Sequence, residues 1–506
     1  MFDLGRSFLA SVERSPNETA IVDGPVRLSY AAWFERIRSV AGAMYAAGLR
    51  RGDHVVTVLQ NRWEMATLHW ACQFLGVIVT PLNWRAKPDE IDYCLQDCGA
   101  KLLIFQNVSS DAVAGSELAA RVNRLSVGEI APGVANFEEW LVAAPAPSLL
   151  NADANDWSLM LYTSGTTGKP KGVPRRHRHE RAAALAHVAQ NLYARNERTL
   201  GIMPLYHTMG VRSLLAMALI DGCFVCVPKF DPAVVLAAIE AERISNLYLV
   251  PTLYHDMLAH PDCVHTDLSS VRKLGFAGAP MNEGLVQKLV ATFLPELFVN
   301  HYGSSEVYTF TIDQNAARKP GSAGKAGINQ RVRVVRLNSK DPSAVAKPHE
   351  EGEIIVDLAG DESFEGYWNR PDADAKALID GWYFSGDTGY IDGEGDLFVT
   401  GRTDDMIISG GENISPVEIE SLLSLHPAVD EVAVVGLPDP RWGQQVTAFI
   451  KRVSPVTEEA LDAHCRASGL ANFKRPRTYI FVKEVPRSPV GKLLRRKLVA
   501  SEYELE

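Results

Sequence analysis

Between Ala31 and Phe105 the chain switches repeatedly between two periods, and this alternation restricts the fold more than any other feature of the sequence. Helical spacing over Ala31 to Leu49 gives way to the β-rich run HVVTVLQ. A second helical stretch from Trp63 leads to VIVTPL, and a third from Lys87 leads to LLIF. Strands joined through helices pair in parallel, because the helix returns the chain across the face of the sheet. The same pattern resumes with LGIMPL, CFVCVP, a helix over Pro232 to Glu242, NLYLVP and KLGFAG. An α/β fold with several parallel-rich sheets is therefore expected, and 506 residues are enough for more than one folding unit. The Ala-, Ser- and Pro-rich stretch after LLIF, ending in AAPAPSLLNADAND, reads as a surface connection. From about Thr403 the character shifts to a shorter α+β unit, with a helix over Pro416 to Leu425, strands EVAVVGL and VTAFIKR, and a helix near Thr457 to Ala467. The expected division is a large part over residues 1–402 and a small one over 403–506.

Composition narrows the function classes. A net charge of −10, from 51 Lys+Arg against 61 Asp+Glu, argues against a surface built to neutralise a nucleic-acid backbone. Apolar runs are interrupted before they reach the length of a membrane span, and MFDLGRSFLASVERSPNE lacks the basic start and apolar run of a signal peptide, so the cytoplasm is the expected compartment. Seven cysteines, an odd number, do not suit a disulfide framework; Cys223 and Cys226 are spaced as C-x-x-C, but within a strand-like run that reads as core rather than as a metal site.

Chemistry concentrates in the eleven residues YTSGTTGKPKG, from Tyr162 to Gly172, which follow the apolar run LML. A strand opening into a loop of hydroxyls and glycines offers free backbone N–H groups to phosphate oxygens. The spacing is not that of a Walker loop, because two residues separate Gly165 from Gly168 and Pro170 follows Lys169. Other motifs lie downstream in order: HYGSSE from His301, YFSGDTGYIDGEGDLFVTGRTDDMIISGGENISPVEIE from Tyr383, and PRSPVGKLLRRKL from Pro486.

Together these strings resemble the adenylate-forming superfamily of acyl-CoA synthetases, luciferases and peptide-synthetase adenylation domains, over nearly the whole chain. The resemblance implies ATP-dependent formation of an acyl-adenylate by the large N-terminal part, under a mobile C-terminal lid. It places Thr163, Ser164, Gly165, Thr166, Thr167, Gly168 and Lys171 around the phosphates, and Tyr302, Gly303, Ser304 and Ser305 against adenine and the α-phosphate. Asp387 and Arg402 would hold the ribose, Glu306 the Mg²⁺ that accompanies ATP, and Lys492 the charge developing during adenylation. Asp404 matches the hinge of the lid. Ser304 and Ser305 stand where many relatives carry threonine, which keeps the hydroxyl and removes a methyl contact.

Through PLYH, DDMIISGGENI, RWGQ and NFKRP the chain resembles 4-chlorobenzoate-type aryl-CoA ligases in particular. That resemblance implies an acyl pocket formed by Ala186, His207, Thr208, Met209, Tyr248, Ala279, His301, Gly303, Tyr308 and Thr309, with His207 also counted among the catalytic residues. His301, Tyr248 and Tyr308 give this pocket polar edges, which fits a furoate- or hydroxybenzoate-like acid; alternatively they bond to one another beneath plain benzoate or a short acyl chain. Gly411, Trp442, Phe473, Lys474 and Arg475 match lid positions that face coenzyme A. The expected reactants are ATP, CoA and a small carboxylic acid, with no tightly bound organic cofactor, no nucleic acid, and a homodimer allowed. Competing readings are an enzyme that loads a carrier protein, a short- or medium-chain fatty acyl-CoA synthetase, and a binding-only relative; retention of Lys492, Glu306 and the phosphate loop opposes the last.

Overall fold

The structure is a computed structural model that describes residues 2–128, 133–146, 148–163, 170–487 and 493–506. A seven-stranded sheet has the order Ala135–Asn136, Asn123–Val127, Leu102–Gln106, His54–Val58, Ile78–Pro81, Trp157–Thr163, Lys171–Arg176. Its first six strands are parallel and only the last is reversed. The interior strands His54–Val58 and Leu102–Gln106 are buried along their whole length, which explains why they read as continuous apolar runs. Asn123–Val127 belongs to this sheet and buries Leu125 and Val127, so the stretch expected to be a surface connection is partly core.

The helix Trp63–Leu75 is buried at every residue, because it packs against Ile78–Pro81 of this sheet on one side and Thr19–Asp23 of a second sheet on the other. That second sheet has 14 strands. Its first half is parallel, running Thr19–Asp23, Cys223–Cys226, Arg198–Gly201, Asn246–Leu249, Lys273–Ala277, Leu297–Tyr302. After Tyr302 the pairing becomes antiparallel through Thr311–Asp313, Ser322–Ala326, Leu397–Arg402, Trp382–Ile391, Gly352–Asp357 and Val332–Arg336. The change of direction at Tyr302 brings the ends of Leu297–Tyr302, Trp382–Ile391 and Leu397–Arg402 to one place. A third sheet, of five strands, lies within residues 407–481 and is backed by the helices Pro416–Leu423 and Glu458–Ala467. The chain is thus α/β, with a large N-terminal part of parallel-rich sheets and a small C-terminal α+β unit. All seven cysteines are buried and unpaired, and Cys223 and Cys226 lie in a fully buried strand.

Interior histidines make the fold sensitive to acid. His177 is buried, and its Nδ1 accepts a hydrogen bond of 3.2 Å from the Leu4 backbone N–H. Burial holds its pKa down at about 4, against an ordinary 6.5. A depressed histidine contributes stability that is fully present above pH 6.5 and is lost as the pH falls through 4, because the unfolded chain takes up the proton first. The expected loss for this residue is on the order of 3 kcal/mol. Denaturant midpoints measured from pH 7 to pH 4 should fall steeply in the wild type and less steeply in His177→Gln.

Candidate active site

The register of the antiparallel half sets Asp387 directly across from Arg402. Arg402 donates to Asp387 Oδ1 at 2.8 Å, and the Tyr302 hydroxyl donates to Asp387 Oδ2 at 2.5 Å. Burial, reinforced by the Asp387 charge, pushes the Tyr302 phenol well above its ordinary pKa, so it stays protonated and keeps donating. Gly386 has a φ of +75°, and a Cβ there would lie 3.0 Å from the Arg402 guanidinium, so a glycine both permits the turn and leaves room for the arginine. Three residues expected to hold adenine and ribose thus form one hydrogen-bonded group.

Beyond Tyr302 the chain makes a tight turn. Ser304 Oγ accepts from the backbone N–H groups of Glu306 and Val307 at 3.2 and 3.3 Å, and Ser304 N donates to the Val307 carbonyl at 2.9 Å. A Cβ on Gly303 would lie 2.2 Å from the Tyr308 carbonyl oxygen, so no side chain fits there. The turn presents Ser305 half-buried and sends Glu306 inward, where the Tyr367 hydroxyl donates to Glu306 Oε1 at 2.7 Å. Lys171, the first residue of the strand returning from the phosphate loop, sets its ammonium 3.9 Å from the centre of the Tyr367 ring. Burial lowers the Lys171 pKa while Glu306 opposes that shift, which places the cation and the carboxylate in one electrostatic neighbourhood. Thr163, the last residue of the outgoing strand, bonds to the Lys171 carbonyl at 3.4 Å. Ser164, Gly165, Thr166, Thr167, Gly168 and Lys492 lie outside the described residues.

The residues expected around the acid surround one buried polar cluster. His207 caps the helix Thr208–Leu219, its Nδ1 accepting from Met209 N at 3.4 Å. A Cβ on Gly210 would lie 2.2 Å from the Pro204 carbonyl oxygen, so glycine lets this helix start against the PLYH loop. Ala279 follows Gly278, at whose position a Cβ would lie 4.0 Å from Met209 Sδ. Arg212, unread in the sequence, anchors the cluster: it donates to Thr309 Oγ1 at 2.7 Å and to the Tyr248 hydroxyl. The Tyr308 hydroxyl donates to Glu180 at 3.1 Å, and Glu180 accepts from Arg175 Nε at 2.8 Å. Arg175 in turn donates to the Glu306 carbonyl at 2.9 Å, linking this cluster to the residue expected to hold Mg²⁺. Tyr248 and Tyr308 therefore have protein partners, in Arg212 and Glu180 rather than in one another or in His301. Ala186 is buried on the helix His177–Gln190, and its neighbour His187 sets its ring centre 4.8 Å from that of Tyr248 and 5.2 Å from that of His301. A lone arginine in the otherwise uncharged TMGVRSLLAMAL is the signal that could have revealed the cluster.

In the C-terminal unit, Asp404 is exposed within the short 3₁₀ turn Thr403–Asp405. Lys474 pairs with Glu418 at 2.6 Å and Arg475 with Asp462 at 2.5 Å, while Phe473 is exposed. Gly411 has a φ of +88°, next to Gly410, whose Cβ would lie 3.0 Å from the Trp442 ring. Arg441 and Arg477, neither singled out from the sequence, lie 4.8 and 4.3 Å from the centre of that ring.

The sequence matches the AMP-binding enzyme family over residues 8–368 and the AMP-binding enzyme C-terminal domain over residues 418–492. The chain belongs to the AMP-binding enzyme family. A 4-chlorobenzoate–CoA ligase of Arthrobacter sp is 35% identical, over 96% of this chain and 93% of that protein. A feruloyl-CoA synthase of Amycolatopsis sp is likewise 35% identical, with 95% of each chain covered. Among solved structures, O-succinylbenzoate Coenzyme A Synthetase (MenE) from Bacillus subtilis, in complex with ATP and magnesium ion, superimposes with a TM-score of 0.85 at 28% identity, covering 97% of this chain and 98% of that one. This AMP-binding enzyme is an AMP-forming acid–CoA ligase. Among the described residues no helix is long and apolar enough to cross a membrane.

The residues present fit Mg²⁺ as a companion of ATP. Among the described residues no three His, Cys, Asp or Glu side chains come together to hold a metal. Magnesium needs few protein ligands when phosphates and waters complete its octahedron, and the buried Glu306 carboxylate beside Lys171 suits that arrangement.

Proposed function

We propose that this ligase activates a small aromatic or heteroaromatic acid of the benzoate, hydroxybenzoate or furoate type, and transfers it to coenzyme A. The observation that carries the reading is the buried polar cluster of His187, His301, Tyr248 and Arg212 at the acyl positions. Its rings and charge suit a short, polar acid and oppose a long apolar chain, which would leave His187 Nε2, His301 Nδ1 and Arg212 Nε without partners. The aryl-CoA ligase and synthase among its relatives support the same class.

In the first half-reaction a carboxylate oxygen attacks the α-phosphorus, the bond to the bridging oxygen breaks, and pyrophosphate leaves. Tyr302, Asp387 and Arg402 hold the adenosine; Thr163, Ser164, Gly165, Thr166, Thr167, Gly168 and Lys171 take the phosphates, and Gly303, Ser304 and Ser305 the α-phosphate side. Lys492 stabilises the charge that builds on the carboxylate and phosphate oxygens. Glu306 would hold the Mg²⁺ that accompanies ATP, which would add to the neutralisation of the leaving pyrophosphate. His207 closes the pocket at the carboxylate end. The lid, residues 403–506, then turns about Asp404, and the CoA sulfur attacks the acyl carbonyl to expel AMP.

Support for CoA as acceptor comes from two places. Trp442, between Arg441 and Arg477, can stack on a nucleotide beside cations. A cleft of about 300 Å³ is lined by Trp84, Arg85, Lys229, Phe230 and Arg487, a combination of rings and cations suited to a phosphorylated thiol carrier. Incubation with ATP, Mg²⁺ and a panel of aromatic, heteroaromatic and short aliphatic acids, with and without CoA, tests the reading. AMP and acyl-CoA should accumulate together on the aromatic acids; preference for aliphatic acids, or AMP release only with a phosphopantetheinylated carrier protein, would overturn it.

A further inference from the structure

One side-chain amide fixes the protonation pattern of the two histidines in the acyl cluster. Asn191 Nδ2 lies 2.7 Å from the His187 carbonyl oxygen and 3.0 Å from His187 Nδ1, and Asn191 Oδ1 lies 3.2 Å from His301 Nε2. A carbonyl only accepts, so the first contact determines which end of the Asn191 amide is the NH₂ group. That NH₂ donates to His187 Nδ1, and a neutral ring that accepts at Nδ1 carries its hydrogen on Nε2. The Asn191 oxygen accepts from His301 Nε2, and a neutral ring that donates at Nε2 leaves Nδ1 as a bare lone pair. Both rings are neutral, since burial, with the positive charge of Arg212 nearby, lowers their pKa well below the ordinary value.

Away from Asn191, then, His187 offers one N–H donor and His301 one acceptor, on rings whose centres are 5.2 Å apart. His187 Nε2 and His301 Nδ1 are buried, and neither has a hydrogen-bond partner among the described residues; the same holds for Arg212 Nε in this cluster. Buried polar atoms left unmatched in this way are costly, and their presence on two neighbouring rings among the residues assigned to the acid points to a ligand that matches them. Gly275 makes room for the arrangement, because a Cβ there would lie 3.0 Å from the Tyr248 ring and 3.6 Å from Asn191 Oδ1.

A hydroxyl group complements the pair, as it donates to His301 Nδ1 and accepts from His187 Nε2–H through one oxygen. A furan oxygen or a ring halogen has no hydrogen to donate and accepts only weakly, and an unsubstituted ring does neither. We infer that His187 and His301, oriented by Asn191, form a hydroxyl-recognition subsite, and that the acid this enzyme prefers is a small aromatic acid carrying a ring hydroxyl. This rests on the reading given under Proposed function and narrows it.

Two measurements test the inference. Steady-state kinetics with saturating ATP and CoA should give a kcat/KM for a hydroxybenzoate isomer at least tenfold above that for benzoate. In His301→Leu that ratio should fall about tenfold or more, and Asn191→Leu should lower it in the same direction with the KM for ATP unchanged. Independently, ¹⁵N spectra of histidine-labelled wild-type enzyme at pH 7, assigned through His187→Phe and His301→Leu, should show both rings neutral with the hydrogen on Nε2. A charged ring, an Nδ1–H tautomer at either position, or an unchanged ratio in His301→Leu would overturn the subsite. If benzoate and every hydroxybenzoate isomer are used equally well, the subsite falls while the ligase reading stands. If no aromatic acid supports AMP release, the reading under Proposed function falls, and the substrate class inferred here falls with it.

Discussion

Replacing Lys492 with alanine should slow acyl-AMP formation by about a hundredfold or more, the scale of losing one preorganised charge aimed at a transition state. The effect is confined to one half-reaction. Attack of CoA on preformed acyl-adenylate places its developing charge on the carbonyl oxygen and on departing AMP, and the proposed turn of the lid would by then have carried Lys492 away from the phosphate. Pyrophosphate exchange into ATP should therefore collapse in Lys492→Ala, while thioester formation from synthetic acyl-AMP stays within a few-fold of wild type. Equal loss in both assays would make Lys492 a structural residue.

Asp404→Pro should produce the opposite pattern. Proline fixes φ near −65°, a value a 3₁₀ residue already adopts, and it also restricts the preceding Thr403. Asp405 accepts from Arg495 at 3.0 Å within residues 403–506, and Arg402 donates to Asp387 at 2.8 Å within the large part, so the chain is tied on both sides of Asp404 and the proposed rotation would fall on the turn between them. Adenylation should survive, whereas thioester formation should fall about a hundredfold, since misplaced reacting groups cost that much. Wild-type CoA transfer in this variant would remove Asp404 from the hinge. The two substitutions, read together, separate the charge used in the first step from the rotation used between the steps.

Much of this architecture was legible locally, and what was missed shares a physical reason. Strands such as HVVTV and LLIFQ are buried on both faces, so their apolar runs stand out from the sequence alone. Ser322–Ala326 reads SAGKA and carries no such run, and Asn123–Val127 reads NRLSV; each is a strand because a neighbour pairs with it. The residues assigned to the nucleotide lie in short strings that stand out in the sequence, and the register of two adjacent strands delivers Asp387 to Arg402. The acyl cluster was not, because it consists of pairs distant in sequence: Arg212 with Tyr248, Glu180 with Tyr308, and Asn191 with His301. Single-residue character marks Tyr248 and Tyr308 as polar edges open to the acid. Their hydroxyls are engaged by buried charges instead, and of the three polar groups expected there His301 keeps an unmatched nitrogen.

The central claim is that the acid is activated by attack of its own oxygen on the α-phosphorus of ATP, and oxygen tracing tests this most directly. With a carboxylic acid labelled with ¹⁸O in both carboxyl oxygens, together with ATP, Mg²⁺ and CoA, one labelled oxygen should appear in each AMP formed, in step with unlabelled pyrophosphate and with acyl-CoA retaining one label. AMP free of label, or ADP and phosphate in place of AMP and pyrophosphate, would contradict the account.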